Sequence, residues 1–120
     1  ILCALEKQLS RSDYDFSSDS FNIEHVLPQN APDAWEGFTY EESIALADRL
    51  GNMTLLQSSD NNDLGTKEYA QKRQVYENSN FELTKRLANQ NQEWTPEKIV
   101  AWQTWMASQA TAVWRMDQLS

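Results

Sequence analysis

A single cysteine, Cys3, in 120 residues excludes an internal disulfide. A domain of this length buries roughly two-thirds of its unfolded surface, so packing alone can hold it. The lone thiol fits a reducing compartment, and the expected location is the cytoplasm. No apolar run approaches the ~18 residues that a membrane span needs, and no basic-then-apolar leader precedes a small-residue cleavage site. Glycine is scarce, with three residues against five tryptophans, which argues against a disordered tail. Basic residues are few: 10 Lys and Arg face 18 Asp and Glu, a net charge of −8. Extensive unaided nucleic-acid binding usually shows a basic face, so this balance counts against it. It leaves room for a small site where a metal ion, or the rest of a longer chain, supplies positive charge. The chain opens Ile1-Leu2-Cys3-Ala4-Leu5 with no initiator methionine, and it is expected to be a fragment of something longer, folding as one domain over residues 1–120.

Local patterns predict an α+β chain. Ile1, Leu2, Leu5 and Leu9 fall at helical spacing. Residues 10–20 are rich in Ser and Asp and read as a loop, with a short strand possible at Tyr14–Phe16. Phe21, Ile23, Val26 and Leu27 suggest a strand that switches facing near His25 and stops at Pro28, which cannot donate to a ladder. Thr39-Tyr40-Glu41-Glu42 is a capping box opening a helix to about Arg49, with Gly51 just past its end. Met53–Leu56 is a second short strand, and residues 58–66 form a polar loop. Thr66 is expected to cap a helix running through Tyr76, and a short helix covers Phe81–Leu87. Thr95-Pro96 opens the last helix, with Ile99, Trp102, Met106, Ala110 and Val113 as its apolar stripe.

The chemistry-bearing candidates concentrate in two stretches. Phe21–Asn30 (FNIEHVLPQN) holds the only histidine, His25, directly after Glu24. A histidine ring titrates near neutral pH and can take a proton from water. A carboxylate beside it can hold a hard cation through oxygen. Neighbouring residues on a regular strand face opposite ways, so both serve one site only where the strand bends. The second stretch carries Asn52 and, after it, Asn61 and Asn62, whose amide oxygens can ligate a cation and whose residue type also simply favours turns. Lys67, Lys72 and Arg73 are candidate phosphate contacts, with a solvated helix face as the plainer reading. The tryptophans of the last helix read as core or interface rather than as a stacking platform for bases.

Taken together, IEHVLPQ, then LGNMTLL, then Asn61-x-x-Leu64 followed by Lys67-x-x-x-x-Lys72-Arg73-x-x-Tyr76 resembles the HNH-type, His-Me finger nucleases. More narrowly, the pattern is similar to the C-terminal nuclease domain of GmrSD-type modification-dependent restriction endonucleases, including the later tryptophans Trp94 and Trp114. The resemblance implies a ββα-metal core braced by several helices. It implies that His25 is the general base and that Asn52 orients the histidine or the connecting loop. It implies Glu24 and Asn61 as ligands of Mg²⁺ or another divalent such as Mn²⁺, oxygen ligands favouring these over zinc. The implied activity is hydrolysis of DNA phosphodiester bonds in restriction of modified foreign DNA, with target choice and nucleotide hydrolysis in an upstream partner domain. The chain departs from the pattern at Thr66, where a second Asn is usual, at Asn62, where Ser is usual, and at Trp102, near an expected Arg. Two competing readings stay open: an RNA-directed or non-specific nuclease, and a degenerate domain used for binding or assembly.

Overall fold

The computed structural model describes residues 2–10, 21–29, 35, 37–58, 64 and 67–119, with side chains up to residue 112. Its elements are α1 (Leu2–Ser10), β1 (Phe21–His25), α2 (Tyr40–Leu46), a 3₁₀ turn (Leu50–Asn52), β2 (Met53–Gln57), α3 (Tyr69–Glu77), α4 (Glu82–Gln90) and α5 (Pro96–Leu119). The expected mixture of helices with a small sheet is what is found. The expectations for Tyr14–Phe16, Asn61, Asn62 and Thr66 lie outside the described residues.

The two strands pair antiparallel, with Phe21 opposite Gln57 and His25 opposite Met53. Thr54, Leu55 and Leu56 of β2 are all buried, because α1 and α4 pack against this strand. β1 is the outer partner, and it inverts the expected facing. Ile23 is 53% exposed while Glu24 is 6% exposed. A buried carboxylate needs partners, and β1 finds them on α3, as described below. The strand also stops at His25, before Pro28, because the backbone of Val26 and Leu27 is captured by Asn52 instead of continuing the ladder.

Both bonds of the capping box form at the start of α2: Glu42 N–H donates to Thr39 Oγ1 (3.1 Å) and Thr39 N–H to Glu42 Oε1 (2.9 Å). The helix ends at Leu46, earlier than its sequence suggests. Its end carbonyl on Ala47 accepts from the Asn52 side chain, and the chain then tightens into the 3₁₀ turn. The last helix opens as expected, with Lys98 N–H donating to Thr95 Oγ1 and Pro96 in the first helical position. Ile99, Trp102 and Met106 enter the core, and Trp102 stacks on Trp105 at 4.6 Å between ring centroids. Trp102 packs in the interior, and Trp105 is a half-buried ring laid against it. Among the described residues no helix is long and apolar enough to cross a membrane.

A cap that the sequence does not advertise joins α1 to α4. Glu6 of α1 accepts the N–H groups of Glu82 (3.0 Å) and Leu83 (2.8 Å), the free amides at the start of α4. Burial pushes the Glu6 carboxyl above its ordinary range, while the Leu83 and Glu82 amides pull the other way.

Gly51 has a role different from the helix terminator its position suggested. A Cβ on it would lie 2.3 Å from the Ile99 carbonyl oxygen and 2.7 Å from Gln103 Cβ. Only hydrogen lets the 3₁₀ turn approach α5 this closely, and Gln103 Oε1 accepts the Gly51 N–H across the contact. Gly51→Ala is expected to cost about 3 kcal/mol, the upper part of the range for overpacking, because a backbone oxygen cannot move aside as a side chain can. Urea unfolding of parent and variant measures it, as a lower midpoint at unchanged slope.

Candidate active site

His25 sits where the sheet ends, and the main chain after it is held by two side chains from distant elements. Lys72 Nζ, on α3, donates to the carbonyls of His25 and Val26, each at 3.0 Å. From the other side, Val26 N–H donates to the Asn52 carbonyl (2.9 Å) and Leu27 N–H to Asn52 Oδ1 (2.8 Å). Asn52 Nδ2 donates to the Leu27 carbonyl at 2.9 Å. Every main-chain polar group from the His25 carbonyl to the Leu27 carbonyl therefore has a partner, and Pro28, which follows, has no N–H to satisfy.

Asn52 is fully buried and its amide is saturated. Besides Leu27, Nδ2 reaches the Ala47 carbonyl (2.8 Å) and Oδ1 accepts the Trp94 indole N–H (3.0 Å). Asn52 thus ties the segment after His25, the end of α2 and the segment before α5 together.

The imidazole is turned away from this network, with its side chain 22% exposed. Nε2 lies 3.6 Å from Asp48 Oδ1, too long for a hydrogen bond. The same Asp48 oxygen accepts the Gln29 amide at 2.6 Å, so Gln29 at the end of the LPQ run and Asp48 just after α2 flank the ring. Sequence reasoning missed both. Asp48 looks like any acid at an exposed helix end, and only the tertiary fold brings it beside His25.

Glu24 faces inward, as strand alternation requires, and does not join His25 around Asp48. Its Oε2 accepts the Tyr76 hydroxyl (2.8 Å) and lies 3.5 Å from Lys72 Nζ. Lys72 is completely buried and passes 5.9 Å from the centroid of the Trp35 ring. The structure places this candidate phosphate contact in the interior, with its ammonium on two main-chain carbonyls and beside the Glu24 carboxylate. Burial pushes its pKa down, and the Glu24 charge and hydrogen bond only partly restore it. Burial and Glu24 together push the Tyr76 phenol well above its ordinary value, so it is a donor at any physiological pH. Arg73 is also engaged: it pairs with Glu77 on its own helix at 3.2 Å and donates to the Ala88 carbonyl (2.9 Å), which ties α3 to α4. Lys67 alone of the three has an exposed side chain.

The donor chemistry suits a hard divalent cation in part. Glu24 supplies a carboxylate whose Oε1 has no hydrogen bond among the described residues, while Oε2 is already balanced by Lys72 and Tyr76. Asn61, the other expected ligand, is outside the described residues, and among those described no three His, Cys, Asp or Glu side chains converge on one point.

Compared with protein-family models, the chain falls among restriction endonucleases. It belongs to the family of GmrSD restriction endonucleases, C-terminal domain, whose model matches residues 1–109. Comparisons with curated proteins and with solved structures returned no match.

Proposed function

We propose that the domain is an HNH-type, His-Me finger endonuclease that hydrolyses DNA phosphodiester bonds, with His25 as the general base. The observation that carries the reading is the placement of the sole imidazole. It is partly exposed at the end of an antiparallel strand pair, its main chain is clamped on both sides, and it sits in a member of a restriction-endonuclease family. A group that must take a proton from an attacking water needs solvent access together with a fixed position, and His25 has both. In the reaction, the neutral His25 ring accepts the proton as the water oxygen bonds to phosphorus. The P–O3′ bond breaks, and the 3′ oxygen leaves with a proton from solvent.

Glu24 and Asn61 would hold the Mg²⁺ or Mn²⁺ ion, completing the ββα-metal core with the segment after β2. When bound, such an ion supplies positive charge to the phosphate. That charge matters in a chain of net −8, which has little basic surface of its own. Lys67, with its exposed side chain, is the one of the three cations free to touch a phosphate. An upstream partner domain would supply further DNA contacts, choose modified foreign DNA and hydrolyse nucleotide.

The test uses the natural full-length protein on supercoiled plasmid, with and without base modification, and on RNA, in Mg²⁺ and in EDTA. Nicking or cutting of modified plasmid in Mg²⁺ alone is the expected result. Cleavage of RNA in preference would replace DNA as substrate, and inertness on both would leave a binding or assembly module.

A further inference from the structure

We infer that Lys72 is a positioning residue for His25, a buried ammonium that holds the histidine's main chain from behind while Glu24 serves as its counter-charge. The inference rests on the reading of His25 as the base. A lysine buried this deeply needs an explanation, because an ammonium out of water is expensive and an apolar side chain would fill the same space. What an apolar residue would lack is donors. The His25 and Val26 carbonyls lie on the last residue paired with β2 and on the one after it, where the ladder gives out, and the Lys72 ammonium donates to both. One ammonium supplies both carbonyls from a single point and has a third donor for Glu24.

The arrangement also accounts for the inverted facing of β1. Glu24 enters the interior because Lys72 is there, and strand alternation then sends the adjacent His25 outward. Tyr76, one helical turn after Lys72, donates to the same carboxylate oxygen and fixes it on the lysine's side. The chain of contacts from α3 through Lys72 to the His25 carbonyl is therefore a direct mechanical link to the imidazole.

His25 being the only histidine, its ring nitrogens and carbons give one unambiguous set of NMR signals, readable without metal or substrate. In Lys72→Met the ring is expected to lose its single orientation, seen as shifted, broadened signals and a changed tautomer ratio. The full-length enzyme is expected to lose about 100-fold in kcat with KM unchanged, the effect of misplacing a reacting group. Leu87→Ala, a core truncation in α4 away from this network, should lower the melting temperature and leave the ring signals alone. A buried Glu24 without its partner destabilises the single variant, so Lys72→Met is also made with Glu24→Gln, which should melt higher than Lys72→Met and still show the altered ring.

Ring signals identical to the parent's in either folded variant overturn the inference. Should neither variant fold, the parent decides: its Lys72 ammonium is expected to stay resolved and protected in ¹⁵N-lysine spectra, and an exchange-averaged signal like those of the other four lysines overturns the inference. If the parent cleaves nothing, the nuclease reading fails, and the ring signals still report on Lys72.

Discussion

Asn52→Ala is expected to be the most damaging single substitution to stability in the described part of the chain, at about 4 kcal/mol. The estimate follows from what the substitution abandons. It strips partners from the Leu27 N–H and carbonyl, the Ala47 carbonyl and the Trp94 indole N–H, in a place with no exposure to water. Each buried group left unpaired costs about 1–3 kcal/mol, and relaxation keeps the sum well below four times that. Asn52→Asp tests the mechanism: the shape is kept, but oxygen replaces the donor that faced two carbonyls, so it should be comparably harmful. A small effect of Asn52→Asp would show that shape, not donation, is what matters. The measurement is urea or thermal unfolding. Because Gly51 and Asn52 share the same turn, their substitutions should not add.

His25→Ala is expected to reduce cleavage about 10²–10⁴-fold, the usual worth of a positioned general base. It should leave stability almost untouched, within about 0.5 kcal/mol, because the ring is partly exposed and makes no buried hydrogen bond among the described residues. The pairing of outcomes is diagnostic. Asn52→Ala should lose fold and activity together, whereas His25→Ala should lose activity alone. The check is the initial rate of plasmid nicking by the full-length protein, set beside the melting temperature of the same preparation. Nicking that survives His25→Ala removes the histidine from the chemistry.

Sequence pattern was sufficient wherever the information is local. The capping box at Thr39 and Glu42, proline at the first position of α5, the stripe of Ile99, Trp102 and Met106, and the two short strands all depend on residues a few positions apart. The family was legible for the same reason, since IEHVLPQ and LGNMTLL are contiguous strings. The LGN run was visible as a signature, but its two reasons were not. Gly51 answers to Ile99 on α5, and Asn52 to Leu27 and Trp94.

Tertiary structure decided the direction of every charged side chain around the histidine. Lys72 reads as a solvated lysine in any window of its own helix, yet it is buried against the end of β1, on the His25 and Val26 carbonyls. Glu24 reads as a free carboxylate and is held by Lys72 and Tyr76, and Asp48, 23 positions along the chain, lies beside the imidazole. A charge's local neighbours in sequence say nothing of the dielectric around it or of the oxygen it will meet. Those depend on which elements pack together, and that is set by burial of the whole core rather than by any one segment.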